Sequence, residues 1–250
     1  MPEKPLISER WVYKETDVLI KADSREAIDE AKRSIVRHRN DLERYIARNL
    51  LFNLSLEPVD VEVGAPKVVK LMAEAGKLAG VGPMAAVAGT LAQLAVEDAV
   101  AAGARNILID NGGDIFIQGD RSFTVAVHAG ASPLSDKLAL EISADRLPIA
   151  VCTSSATVGP SLSFGEADAA TAVANSGALA DAAATAICNE TKGDPEHAIK
   201  AGLERARSIP RVQAALIIYG KHVGSWGDLP KLVIADKLSE ELMRRVQFRT

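Results

Sequence analysis

The chain has 250 residues, 48% hydrophobic and 25% charged, with 29 Lys and Arg against 33 Asp and Glu and a formal net charge of −4. That composition provides a sizeable core and excludes extended disorder, and the acidic balance speaks against a dedicated nucleic-acid binder. Two cysteines, Cys152 and Cys188, are too few for a disulfide framework and lack CxxC spacing, so a reducing, cytoplasmic setting is expected.

In chain order, Arg10 to Lys21 holds two β-rich runs around Glu15-Thr16-Asp17 and reads as an edge hairpin. Asp23 with Glu26 has capping-box spacing, and Ile28, Ala31, Ile35, Leu42, Tyr45 and Ile46 continue a helix to about Asn49. The basic run Lys32 to Arg39 is diluted by acids and reads as a solvated helix face. Ala65-Pro66 opens a second helix to about Leu78, and Pro83 opens a third, Ala-rich one that ends near Gly103. The start of the chain lacks a secretory signal pattern. The uncharged stretches Leu78 to Val96 and Leu147 to Gly165 approach membrane-span length, but Pro, Gly, Ser and Thr interrupt both, so no membrane association is expected.

Short strands are predicted at Asn106 to Ile109, Ile115 to Gln118, Phe123 to His128, Leu138 to Ile142 and Ile149 to Thr153, spaced as an antiparallel meander. A long, nearly uncharged loop spans Ser154 to Glu166. A strand at Ala169 to Ala174, helices at Gly177 to Asn189 and from Pro195, strands at Val212 to Tyr219 and Leu232 to Ala235, and a last helix after Leu238 complete the chain. With no repeat and no linker, the expectation is one α+β domain, a mostly antiparallel sheet packed against helices.

Four groups of residues could carry chemistry. Asn111-Gly112-Gly113-Asp114 between two strands is a hairpin turn or a loop that lets a ligand approach bare main chain. It lacks the following helix of a dinucleotide fingerprint. Gly80-Val81-Gly82-Pro83 and Gly89 mark a phosphate-holding helix start or a cap with tight helix packing. Asp181 and Thr185, if helical, share a face with Cβ atoms roughly 5 to 6 Å apart, either as a polar stripe or as hard-oxygen ligands for Mg²⁺. Finally, Thr153, Ser154 and Ser155 could line a pocket, with Cys152 an inert buried thiol or a nucleophile using His128 as its base.

Together and in this order the motifs resemble the ApbE superfamily of FAD:protein FMN transferases. Gly82 to Gly89, the following helix and Asn106 to Asp114 are similar to that family's glycine-containing helix and Gly-Gly-Asp turn, and Ala180-Asp181-Ala-Ala-Ala-Thr185 to its Ala-Asp-Ala-x-x-Thr magnesium motif. Ser55-Leu-Glu-Pro58 and Gly80 to Gly89 are similar to a branch labelled thiamine biosynthesis ApbE-related. The resemblance implies an ApbE-like layered fold, Mg²⁺ on Asp181 and Thr185, a flavin nucleotide (FAD or FMN) or other phosphorylated small molecule beside Gly112, Gly113 and Asp114, and Asp114 as catalytic base or polar contact. The chain departs from the transferases in two places. Where they carry His-x-x-Asp-Pro-x-Thr-Gly, it has Gly159 to Gly165 without histidine, and it lacks their Met-Gly-Thr element. Two alternatives therefore stand beside a transferase: a non-catalytic binding or accessory protein on the same scaffold, and a Cys152-dependent sulfur-handling enzyme. The Ala-rich helices suit packing within one subunit or between two in a homodimer.

Overall fold

A computed structural model describes residues 5–157 and 163–235. The central feature is an eight-stranded sheet in the order β1-β2-β3-β4-β7-β8-β9-β10, with every described pairing antiparallel. β1 (Ile7–Tyr13) and β2 (Thr16–Ala22) form the expected edge hairpin, and β2 alternates strictly, with Val18, Ile20 and Ala22 turned into the core. β3 (Ile107–Asn111) and β4 (Asp114–Gln118) form a second hairpin. The chain then leaves for a three-stranded sheet made of β5 (Phe123–Ala126), β6 (Leu138–Ile142) and β11 (Lys231–Ile234), and returns beside β4 as β7 (Ile149–Ser154). β8 (Ala169–Ala174), β9 (Val212–Tyr219) and β10 (His222–Gly227) complete the large sheet.

The helices cover one face: α1 (Arg25–Ile46), the five-residue α2 (Leu50–Leu54), α3 (Lys67–Ala79), α4 (Val87–Ala101), α5 (Gly177–Glu190) and α6 (Pro195–Ser208). They share a core with Ile107, Ile109, Phe116, Ala150 and Cys152 of the sheet. The small sheet covers the opposite face, where Ile115, Ile117, Ile149 and Val151 meet Val125, Leu140 and Ile142. Alternation along each strand thus assigns neighbouring residues to different cores. The predicted last helix lies outside the described residues.

Several local expectations need correction. The cap of α1 is Ser24, whose hydroxyl accepts from Ala27 N–H at 3.1 Å, while Asp23 accepts from the main-chain N–H groups of Arg105 and Asn106 at 3.0 and 2.9 Å and ties the helix start to β3. Pro83 begins a 3₁₀ turn, Pro83–Ala86, and α4 itself starts at Val87. α2 and β10 have no counterpart in the sequence reading.

α4 and α5 are apolar on nearly all sides because each is sandwiched between the sheet and other helices. The run Pro83–Ala101 is long and apolar enough to cross a membrane by length and composition, and 56% of it is buried inside the fold. Where α4 and α5 cross, glycine faces glycine. A Cβ on Gly89 would lie 2.3 Å from the Gly177 carbonyl oxygen, and one on Gly177 would lie 2.3 Å from that of Gly89.

Candidate ligand and metal site

The β3–β4 turn is a two-residue hairpin turn with both glycines at positive φ, +70° at Gly112 and +100° at Gly113. Gly113 N–H donates to the Asp110 carboxylate at 2.8 Å, and its carbonyl accepts from Thr153 N–H at 3.2 Å. Nothing lies within 4 Å of where a Gly112 Cβ would stand, and near Gly113 only the Thr153 carbonyl oxygen approaches, at 3.9 Å. The hairpin and the ligand reading are therefore compatible, since the turn is closed by its own hydrogen bonds and its bare main chain faces open space.

Strand alternation sends Asn111 and Asp114 towards the helices, together with Cys152, which pairs directly with Asp114 across β4 and β7. There they meet the first turn of α4 and the middle of α5. Asn111 donates its amide N–H to the Ala88 carbonyl at 3.2 Å, and Asp181 of α5 accepts from Gly89 N–H at 2.8 Å. Asp181 thereby caps α4 from another helix, satisfying N–H groups that the break after the 3₁₀ turn leaves free.

This brings two carboxylates into one enclosed place. Burial, partly offset by the Gly89 and Ala88 N–H groups, pushes Asp181 up to about 7. Burial, followed by the charges of Asp181 and Asp110, pushes Asp114 well above the usual carboxylate range, and the Cys152 thiol and Thr153 main chain offset this only in part. No Lys or Arg is among the groups that relieve either acid. A half-buried acid pair with no cationic partner among the described residues is an environment that a divalent cation would relieve. Thr185 lies one turn beyond Asp181 on α5, half-buried, and makes no side-chain hydrogen bond among the described residues. The set is a fit for Mg²⁺, which takes few protein oxygens and keeps waters or phosphate oxygens. Among the described residues, no three His, Cys, Asp or Glu side chains form a cluster able to hold a metal by themselves.

A family model described as AbpE bacteria matches residues 3–210. A UPF0280 protein from Methanocaldococcus jannaschii is 43% identical over 231 residues, covering 91% of this chain and 93% of its own. One from Methanosarcina barkeri is 44% identical over 230 residues, covering 92% and 90%. The chain belongs to this ApbE-like family. Solved structures agree on the fold. The flavinyl transferase ApbE of Pseudomonas stutzeri, in its apo form, matches with TM-score 0.57 at 13% identity over 91% of this chain and 96% of that one. A mutant flavin transferase ApbE from Vibrio cholerae matches with TM-score 0.59 at 14% identity, over 90% and 97%.

In this ApbE-like chain the remaining predicted site residues divide. Gly80 ends α3 in left-handed conformation, φ +61°, beneath the Arg205 guanidinium, which donates to the Ala79 carbonyl. A Cβ on Gly82 would lie 1.9 Å from the Ser55 carbonyl oxygen. Gly80 thus serves the helix end, Gly82, like Gly89, serves a close chain crossing, and an open phosphate cradle at Gly80 to Pro83 is not what the structure shows. Thr153 turns its hydroxyl to Thr171 at 2.8 Å on the other face of the sheet, Ser154 points towards Cys188, and Ser155 bonds Thr157 outside. Only the main chain of Thr153 reaches the glycine turn.

The nucleophile reading of Cys152 is overturned. Its side chain is fully buried on the helix side of the sheet, 3.7 Å from the Gly177 carbonyl oxygen, and burial beside Asp114 and Asp181 pushes the thiol well above its ordinary range. His128 belongs to the small-sheet side, where its Nδ1 lies 3.1 Å from Asp136. We expect a thiol reagent such as DTNB to leave Cys152 unmodified in the native protein and to modify it on denaturation. Rapid native modification, followed by peptide mass mapping, would show that the thiol is accessible. The other histidines are also occupied elsewhere. His38 lies 3.1 Å from Asp98, His197 lies 2.9 Å from Asp194, and His222 begins edge strand β10.

Sequence reasoning missed two residues that shape the site. Gln93, the one amide within the Ala-rich α4, accepts from Gly177 N–H at 2.8 Å and Ala178 N–H at 3.3 Å and so anchors α5. Gly177 permits the α4–α5 crossing. An amide within the apolar first half of α4 was the available signal for Gln93; an unusually placed helix-start glycine was that for Gly177.

Proposed function

We propose that this chain binds a flavin nucleotide or another phosphorylated small molecule with Mg²⁺, between the Gly112-Gly113 turn and the acid pair Asp114 and Asp181. The observation that carries the reading is the meeting of three segments distant in sequence. The α4 start, the β3–β4 turn and α5 are linked by the Asn111–Ala88 and Asp181–Gly89 hydrogen bonds. The ApbE-like fold, shared with flavin transferases, supports the ligand class.

Asp181 and Thr185 are the residues that would hold Mg²⁺, with Asp114 beside them. The ion, when bound, supplies charge neutralisation on phosphate oxygens. The chain's own part is positioning. Gly89 N–H fixes one Asp181 oxygen, and the paired glycines leave room for a phosphate or ring against the main chain. Asp114, held by Cys152 and raised by its surroundings, keeps a proton at a pH where an ordinary carboxylic acid has lost it, which suits a group that exchanges protons with a ligand. In a transferase it would accept the proton of the incoming hydroxyl.

A second reading, binding without transfer, is favoured by one observation: all four histidines of the chain lie away from this acid pair. Calorimetry with FAD, FMN and ADP, with and without Mg²⁺, tests the shared part. Mg²⁺-dependent binding of at least one nucleotide is expected, and no heat with any of them removes the proposal. Incubation with FAD and acceptor peptides, followed by intact mass, separates the readings. A Mg²⁺-dependent covalent FMN adduct establishes transfer, and nucleotide binding with no adduct supports the accessory role.

A further inference from the structure

A cleft of about 580 Å³ opens at the start of α5, between α3, α4 and the start of β9. Its walls are apolar, with Leu71, Ala75 and Leu78 of α3 facing Leu179 and Val212. Its polar lining residues are Glu74, Gln93, Asn175, Ser176, Arg211 and Gln213. Arg211 lines the mouth and donates to Glu74 at 2.6 Å, a pair whose side chains are 62% and 59% exposed. Asn175 gives its carbonyl oxygen to Gln213 at 2.8 Å and so keeps its amide N–H₂ as a donor.

We propose that this cleft is a second ligand site, specific for a small carboxylic acid with an apolar body. Arg211 presents a planar fork that matches a carboxylate, and the apolar walls take the rest of the molecule. Among the described residues, Glu74 is the single anionic group lining the cleft. Because its pair with Arg211 is open to solvent, that pair is weak, and an acid that also buries apolar surface displaces it. Glu74 thus acts as a tethered occupant of the carboxylate position. The site is distinct from the acid pair, since the cleft borders the Gln93 and Ser176 end of the α4–α5 contact and neither Asp114 nor Asp181 lines it.

The test is a titration of methyl-labelled Leu and Val NMR spectra with 4-phenylbutyrate, alongside its neutral amide. Saturable shifts centred on Leu71, Leu78, Leu179 and Val212 are expected, with the acid binding more tightly than the amide. Arg211→Gln is expected to weaken the acid about fivefold and Glu74→Gln to tighten it by a similar factor, while neither changes the amide. The opposite signs of two surface substitutions guard against a folding defect. Absence of saturable shifts, equal affinity for acid and amide, or a Glu74→Gln variant that binds no better than wild type overturns the proposal.

Discussion

Gly89→Ala is expected to destabilise the protein by about 3 kcal/mol or more, a core overpacking effect with no room for relief. The added methyl would stand 2.3 Å from the Gly177 carbonyl oxygen and 2.7 Å from Cβ of Asp181. Neither is the end of a flexible side chain. α4 and α5 would have to part, and the Gly89 N–H that holds Asp181 would move with them. The same variant should therefore lose nucleotide and Mg²⁺ binding in whatever fraction stays folded. Gly112→Asn is the contrasting case. Its Cβ meets nothing, and Asn tolerates the positive φ of that turn, so a cost of under about 1 kcal/mol is expected. Urea unfolding of both variants checks the pair. A Gly89→Ala protein within about 0.5 kcal/mol of wild type would mean that the helices do not cross this closely.

The contrast between these glycines also marks where sequence reading stops. The β2 alternation, the capped and periodic α1 and the Asn-Gly-Gly-Asp turn are local patterns, and each specifies its element with little help from the rest of the chain. The α+β architecture and the antiparallel sheet followed from them. The candidate site showed in the sequence only as three motifs, each open to a plain structural reading by itself, and their order and spacing joined them through the family resemblance. What one glycine does among several was not legible. Gly82 and Gly89 accommodate a neighbouring backbone, Gly80 ends a helix, and Gly112 and Gly113 leave space open; in sequence all five read alike. Asp23 shows the same limit. Its spacing to Glu26 fits a cap, yet its carboxylate is taken by Arg105 and Asn106, more than 80 positions away. β10 escaped notice because Gly224 and Gly227 dilute its strand signal, and both are needed where Ile199 and the Gln213 carbonyl press on the strand.

Asp181→Asn should stabilise the metal-free protein above neutral pH while removing its response to Mg²⁺. Asp181 titrates at about 7 in the folded chain, against an ordinary value of 3.8. Between those values the folded chain keeps a proton that the unfolded chain has lost. Stability therefore falls as pH rises from about 4 to about 7, by up to roughly 1.4 kcal/mol per pH unit from this group, and levels off above. Asp114, raised partly by the Asp181 charge, acts in the same direction. Asparagine removes one charge of the pair and keeps an oxygen for the Gly89 N–H. The slope should flatten, and the variant should exceed wild type by about 2 kcal/mol at pH 8. Asp181→Ala, which also deletes the acceptor, should be less stable than Asp181→Asn by about 1 kcal/mol. Millimolar Mg²⁺ at pH 8 reverses the ranking if the acid pair is a cation site. Wild type gains stability by mass action, about 2.7 kcal/mol at a hundred times the dissociation constant, and the asparagine variant gains almost none. Thermal unfolding of the three proteins from pH 4 to pH 9, with and without Mg²⁺, reads all of these at once. If Asp181→Asn is the weaker protein at pH 8 without metal, the ionised carboxylate serves α4 as a cap more than it suffers from Asp114. If Mg²⁺ shifts wild type and variant equally, the ion binds elsewhere. The predicted combination, a gain without metal and a deficit with it, is what distinguishes a site kept for binding from one kept for packing, since a packing residue would not be less stable in its native form than as its neutral isostere.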